Sequence, residues 1–152
     1  MNSFAFLEKS ARQWPDTAAL LQGEERYTYR EFRDRALAVG GNLRALGCKA
    51  GDRVAFCLAN SPRIMEVIYG CFAAGLIVVP INARLHAREM AYIAGNSGAK
   101  ILVHGPEFAQ GIAVHADLFG GLERGISTDD FGTLLNPANA LLRAVEIGRA
   151  HV

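Results

Sequence analysis

The sequence predicts an α/β domain with a mostly parallel sheet and flanking helices. Apolar runs at 54–58, 76–79 and 100–104 are short and nearly continuous, the pattern of strands covered on both faces. Helical periods lie between them. Strand, helix, strand, helix, strand over residues 53–104, joined by short turns, implies parallel strands with right-handed crossovers. The chain has 152 residues, 51% hydrophobic and 20% charged, which suits one domain with its own core. The same composition excludes a disordered chain or a polyelectrolyte.

Each element follows from local signals. Phe4, Leu7, Ala11 and Trp14 recur at steps of three and four, predicting an amphipathic helix that Pro15 ends. Residues 18–22 and 26–29 predict two short strands around Gly23-Glu24-Glu25, a hairpin. Thr28 and Glu31 then form a capping box. Phe32, Ala36, Val39, Leu43 and Leu46 continue one long helix, and Gly47 stands where a left-handed cap belongs. After the turn at 49–52 comes the strand 54–58. Asn60-Ser61-Pro62 predicts a helix start, with a capping side chain followed by a proline whose missing amide costs nothing. Ile64, Met65, Ile68, Cys71 and Phe72 form the expected buried stripe of that helix, which Gly75 ends. Residues 76–79 predict a buried strand stopped by Pro80, 88–95 a short helix and 100–104 a third buried strand. Beyond Pro106 the period fades. Residues 108–119 have some helical character, but five glycines between 111 and 132 interrupt any pattern.

Several chemistries find no support. Lys plus Arg number 16 against 15 for Asp plus Glu, so a net charge of +1 gives no reason to expect nucleic acid or an anionic membrane as partner. Cys48, Cys57 and Cys71 contain no Cys-x-x-Cys pair and sit among apolar residues, as small buried side chains in a reducing cytoplasm would. His86, His104, His115 and His151 share no helical face with a carboxylate or cysteine, so no metal site is expected. The N-terminus lacks a basic segment before its apolar residues, which speaks against a signal peptide. The uncharged stretch 67–83 contains Gly70, Gly75, Pro80 and Asn82, and reads as helix then strand, with no stable membrane insertion.

Catalytic motifs are also missing. Gly70–Gly75 and Gly120–Gly125 have the spacing of a phosphate loop without the lysine that would neutralise the terminal phosphates. No Gly-x-Gly-x-x-Gly, Gly-x-Ser-x-Gly or His-Glu-x-x-His is present. Asp129-Asp130 reads as a solvated loop.

The order of segments is more informative. Pro15-Asp-Thr-Ala-Ala-Leu20, Tyr27-Thr-Tyr-Arg-Glu-Phe32 and Leu46-Gly-Cys-Lys-Ala-Gly-Asp-Arg-Val-Ala55 resemble the opening of AMP-forming acyl-CoA synthetases. These belong to the adenylate-forming superfamily, with luciferases and peptide-synthetase adenylation domains. Asn60-Ser61-Pro62, Ala73-Ala-Gly-Leu-Ile-Val-Val-Pro-Ile-Asn82, Arg84-Leu85 and Asn96-Ser-Gly-Ala-Lys-Ile-Leu-Val103 continue the likeness in order, without a large insertion.

That resemblance implies an enzyme joining a carboxylic acid to ATP, with Mg2+, and passing the acyl-adenylate to coenzyme A. The family's phosphate loop with its lysine, its downstream acidic and aromatic motifs, and the lysine of its mobile C-terminal domain do not occur here. The expectation is therefore the first part of the large N-terminal domain, truncated and inactive alone, in a cytoplasmic ligase of unspecified oligomeric state. Residues 1–108 would begin that domain and 109–145 would continue it. In relatives the segment after the Val-Val-Pro strand approaches the adenine and phosphate end of coenzyme A. This makes Asn82 and Arg84 candidate cofactor-binding residues, with Arg84 able to fork onto a phosphate. The competing reading has Asn82 capping a turn and Arg84 in a surface ion pair. Residues 146–152, Glu-Ile-Gly-Arg-Ala-His-Val, resemble nothing in the family. They match a common sequencing adapter read in frame, which implies a non-native tail. The alternative to the ligase reading is a stand-alone α/β module that binds a nucleotide or a protein without catalysis.

Overall fold

The computed structural model describes residues 2–141. The tail expected at 146–152 lies outside them.

Helix α1 (Phe4–Gln13) precedes an antiparallel hairpin of β1 (Ala18–Gln22) and β2 (Glu25–Thr28). The turn is tighter than the sequence suggests. It is Gly23-Glu24, with Gly23 at φ +58°, and Tyr29 already begins the next helix. That helix, α2 (Tyr29–Ala45), opens on the expected capping box: Thr28 Oγ1 accepts from Glu31 N, and Glu31 Oε1 accepts from Thr28 N. It closes on Gly47 at φ +106°, where Cys48 N donates to Leu43 O.

Strands β3 (Arg53–Cys57), β4 (Ile77–Pro80), β5 (Ile101–His104) and β6 (Arg124–Ser127) form one parallel sheet in the order β4-β3-β5-β6. Between them run α3 (Pro62–Ala74), α4 (Ala87–Ser97) and the short α5 (Ala109–Val114). Alternation along each strand divides the core. Val54, Phe56, Ile101, Val103 and Ile126 face Val39 and Leu43 of α2 and Val67 and Cys71 of α3. Ala55, Cys57 and Leu102 face Met90, Ala91 and Ala94 of α4, with Phe119. The result is three layers, helix, sheet, helix. The crossovers from β3 to β4 and from β4 to β5 run in opposite directions and put α3 and α4 on opposite faces, as a single crossover hand requires. A third cluster of Phe4, Leu7, Phe32, Ala36 and Ala73 fastens α1 to α2 and α3.

Three expectations need correction. Ser61 precedes α3 but makes no capping bond through its side chain. The buried side of α3 is Glu66, Val67, Gly70, Cys71, Ala73 and Ala74, whereas Ile64, Met65, Ile68 and Phe72 are only partly covered. The reason is the α2–α3 crossing, where backbone meets backbone: a Cβ on Gly70 would lie 2.7 Å from Val39 Cγ1, and one on Gly40 2.6 Å from Gly70 O. Small residues therefore take the interface and larger ones flank it. Strand β4 is an edge strand, not a buried one; Ile77 is 52% exposed, because among the described residues nothing pairs with its outer side. Beyond Pro106, where the sequence pattern is poorly readable, Arg124–Ser127 pairs in parallel with β5.

Two polar networks have no counterpart in the sequence pattern. Glu66 is fully buried on α3, held by Arg35 of α2 and by Arg63, whose Nε lies 2.5 Å from Glu66 Oε1 as an ion pair outside hydrogen-bond angles. Tyr27 lies under both guanidinium groups, 4.5 Å from that of Arg35 and 5.5 Å from that of Arg63. Asn42, 4% exposed, ties α2 to the strap formed by residues 134–139. An acid within an apolar helical face and a lone buried amide are the only local signs of these links.

Candidate functional site

In an open parallel sheet, ligands collect outside the carboxyl ends of the strands, beside the point where the connections reverse direction. Here that point lies between β3 and β5. Around it stand the ends of those strands, Cys57 and His104, and the loop leaving β4.

That loop carries both residues singled out from sequence. Ile81, 3% exposed, extends the ladder by donating from its N–H to Phe56 O at 2.8 Å. Asn82 then bends the chain. Its Oδ1 accepts from Arg84 N at 2.9 Å and its carbonyl accepts from Leu85 N at 3.1 Å. The Cys57 thiol approaches the same carbonyl at 3.8 Å. Burial, with a further push from the Glu107 carboxylate, raises the Cys57 pKa to about 11, so the thiol stays protonated and serves as a weak donor. Asn82 thus does what the competing reading expected of it, capping a turn.

Arg84 does not. Its side chain is exposed, and no carboxylate among the described residues lies within ion-pair distance. Two residues on, His86 caps α4 by accepting from Arg88 N at Nδ1, 3.2 Å away. Arg84 thus lies three residues before the eleven-residue α4, which carries Arg88 in its first turn. A fork of N–H donors beside a helix N-terminus favours an oxyanion.

His104 is the residue at this end of the sheet that sequence reasoning passed over. It closes the run Ile-Leu-Val-His on β5 and is 6% exposed. Its Nδ1 lies 2.8 Å from Gly105 O. A carbonyl only accepts, so Nδ1 carries the proton in this contact. The exposed Glu107 carboxylate folds across Gly105.

Among the described residues no three His, Cys, Asp or Glu side chains converge to hold a metal ion. The residues present do not fit a magnesium–nucleotide complex, and no chemical step is assigned to them. The cysteines are all buried and unpaired, and no described helix is long and apolar enough to cross a membrane.

Comparison with known proteins gives one answer. The family model described as AMP-binding enzyme matches residues 7–135. Feruloyl-CoA synthase of Amycolatopsis sp is 37% identical over 108 residues, 71% of this chain and 22% of its own length. The long-chain-fatty-acid–CoA ligase FadD13 of Mycobacterium tuberculosis is 36% identical over 126 residues, 81% of this chain and 25% of its own. Among solved structures, the N-terminal domain of FACL13 from Mycobacterium tuberculosis superposes with a TM-score of 0.88 at 32% identity, covering 96% of this chain and 38% of that one. The anthranilate CoA ligase AuaEII, in complex with anthranoyl-AMP, gives 0.88 at 25% identity, covering 95% and 28%. The chain thus spans about a quarter of the length of these curated relatives. Segment order, sheet topology and these matches agree that the chain belongs to the AMP-binding enzyme family.

Proposed function

We propose that this chain is the front part of the large N-terminal domain of an AMP-forming carboxylate–CoA ligase. That ligase would join a carboxylic acid to ATP, with Mg2+, and transfer the acyl group to coenzyme A in the cytoplasm. The family match over 7–135 supports this reading, as do relatives that are themselves CoA ligases. The chain contributes sheet and helices beside a site completed by other segments, and by itself it catalyses no adenylation. The motivation is the missing phosphate loop and lysine. Purified chain should show no carboxylate-dependent exchange of pyrophosphate into ATP; exchange above the blank would overturn the assignment of inactivity.

Within that enzyme, Arg84 meets a phosphate of coenzyme A and Asn82 holds the turn that presents it. The single observation behind this is an exposed guanidinium with no carboxylate partner among the described residues, fixed at its backbone by Asn82 Oδ1. A chimera tests the larger reading. Residues 1–135 of this chain, replacing the matching segment of FadD13, should fold and support pyrophosphate exchange. A folded chimera without exchange would argue against it.

A further inference from the structure

Helix α4 is held at its start by an imidazole. Met90 N donates to His86 O at 3.0 Å, the first bond of the helix. Arg88 N, which the helix itself cannot satisfy, donates to His86 Nδ1 at 3.2 Å. Serine, threonine, asparagine and aspartate usually fill this position, and none of them changes charge near neutral pH. A backbone N–H only donates, so Nδ1 holds a lone pair and the neutral ring carries its proton on Nε2. The added proton of an imidazolium must go to Nδ1, the atom that makes the cap. Protonation and capping therefore exclude each other.

The surroundings act in the same direction. Helix α5 packs so closely on the start of α4 that a Cβ on Gly111 would lie 3.2 Å from that of Ala87. That approach sets the rings of His86 and His115 edge to face, with centroids 5.5 Å apart. The charged groups around the cap are Arg84 in the preceding loop, Arg88 and Glu89 in the first turn of α4, and Asp117 in the turn after α5. Arg53 of β3 meets the far end of α4, where it donates to Ser97 O. Among the described residues no carboxylate lies within ion-pair distance of either imidazole. A charge on His86 would thus stand at a helix N-terminus, beside a second histidine and between two arginines in sequence, with no paired acid to offset it.

We propose that His86 is a pH-sensitive latch on the first turn of α4, closed while its ring is neutral and opened by a proton. Histidine is the side chain that gains a proton between about pH 8 and pH 5. Opening frees the Arg88 amide and slackens residues 84–89, while the sheet and the rest of α4 stay in place. The inference rests on the geometry of α4 and not on the ligase reading.

Nitrogen-15 NMR of the full chain from about pH 8 to pH 5 tests it. At the upper end the His86 ring should carry its proton on Nε2. As pH falls, the Arg88 amide should lose its bond in step with protonation of that ring. Its exchange protection, taken against an unstructured chain at the same pH, should drop about fivefold, the ordinary effect of losing a cap. Ala94, deeper in the helix, should keep its protection. His86→Asn supplies an acceptor that does not titrate, so its Arg88 amide should stay protected throughout. His115→Ala removes the neighbouring ring and should leave the response of Arg88 in place. A proton on Nδ1 at the upper end, Arg88 protection indifferent to pH, a response that survives in His86→Asn, its loss in His115→Ala, or an equal drop at Ala94 would each overturn the proposal.

Discussion

Asn42 Oδ1 accepts from Asn139 Nδ2 at 2.9 Å, joining residues ninety-seven positions apart. The same side chain donates from Nδ2 to Leu134 O at 2.9 Å and Asn136 O at 3.0 Å, while keeping Ala38 O of its own helix at 2.8 Å. Two protons are shared among three carbonyls, and all of it lies at a buried position. Next to it, any side chain on Gly41 would collide with Asn139 O. The strap is therefore seated on α2 through one amide and one glycine.

Asn42→Ala would strand those buried carbonyls. The expected loss is about 2–3 kcal/mol in urea unfolding, with faster amide exchange over 134–141 than elsewhere. Unchanged stability would mean that the strap does not depend on Asn42.

Gly70, at the α2–α3 crossing, and Gly95, on α4 away from it, should respond in opposite ways to alanine. Gly70→Ala pushes a methyl into Val39 and should cost about 1–3 kcal/mol. On α4, a Cβ added to Gly95 would meet nothing within 4 Å, so Gly95→Ala should raise stability by about 0.5–1 kcal/mol. Thermal unfolding of the two variants should shift in opposite directions; a shared sign would contradict the crossing geometry.

Buried Glu66 is expected to outweigh the surface pairs. Glu66→Ala removes the buried carboxylate that faces both Arg35 and Arg63 and should destabilise by about 3 kcal/mol. Asp34→Ala breaks an exposed pair with Arg33 and should change stability by under about 1 kcal/mol. Equal effects in chemical denaturation would rule out the ranking.

Acid and alkali should each remove a different contact. Glu31 is held below its ordinary value near 4.5, first by the Thr28 N–H, and Asp52 below 3.8, first by the Lys49 N–H. A carboxyl lowered on folding adds stability above its unfolded pKa and loses it as pH falls through the folded one. Lys100 is raised above 10.5, first by its bond to Asp52, so its contribution is complete below that value and fades as pH rises through the higher folded pKa. Urea midpoints should thus fall below about pH 4 and again in strong alkali. Asp52→Asn should flatten both limbs; a variant with an unchanged profile would exclude this pair as a cause.

What the sequence makes legible is what is local or doubly buried. Thr28 and Glu31 announce α2 within four residues, and Gly47 closes it. Val54–Cys57 and Ile101–Val103 are apolar because helices cover both faces. Strand β6 is four residues with a glycine and a single buried side chain, Ile126, so its place depends on β5 pairing with it from a distance. Glu66 and Asn42 are illegible for a related reason, since the Arg35 partner of Glu66 and the Leu134 partner of Asn42 lie thirty or more positions away. At the candidate site, Asn82 and Arg84 emerge from the order of segments and not from any motif. The geometry then separates them, giving Asn82 the turn and leaving Arg84 with no carboxylate partner among the described residues.

The most direct measurement is the KM for coenzyme A in the chimera carrying Arg84→Ala, read beside pyrophosphate exchange. Losing a charge-assisted phosphate contact should raise KM for coenzyme A about tenfold or more while exchange, which needs no coenzyme A, stays unchanged. An unaltered KM would contradict the placement of Arg84 against the coenzyme, whatever the fate of the exchange reaction.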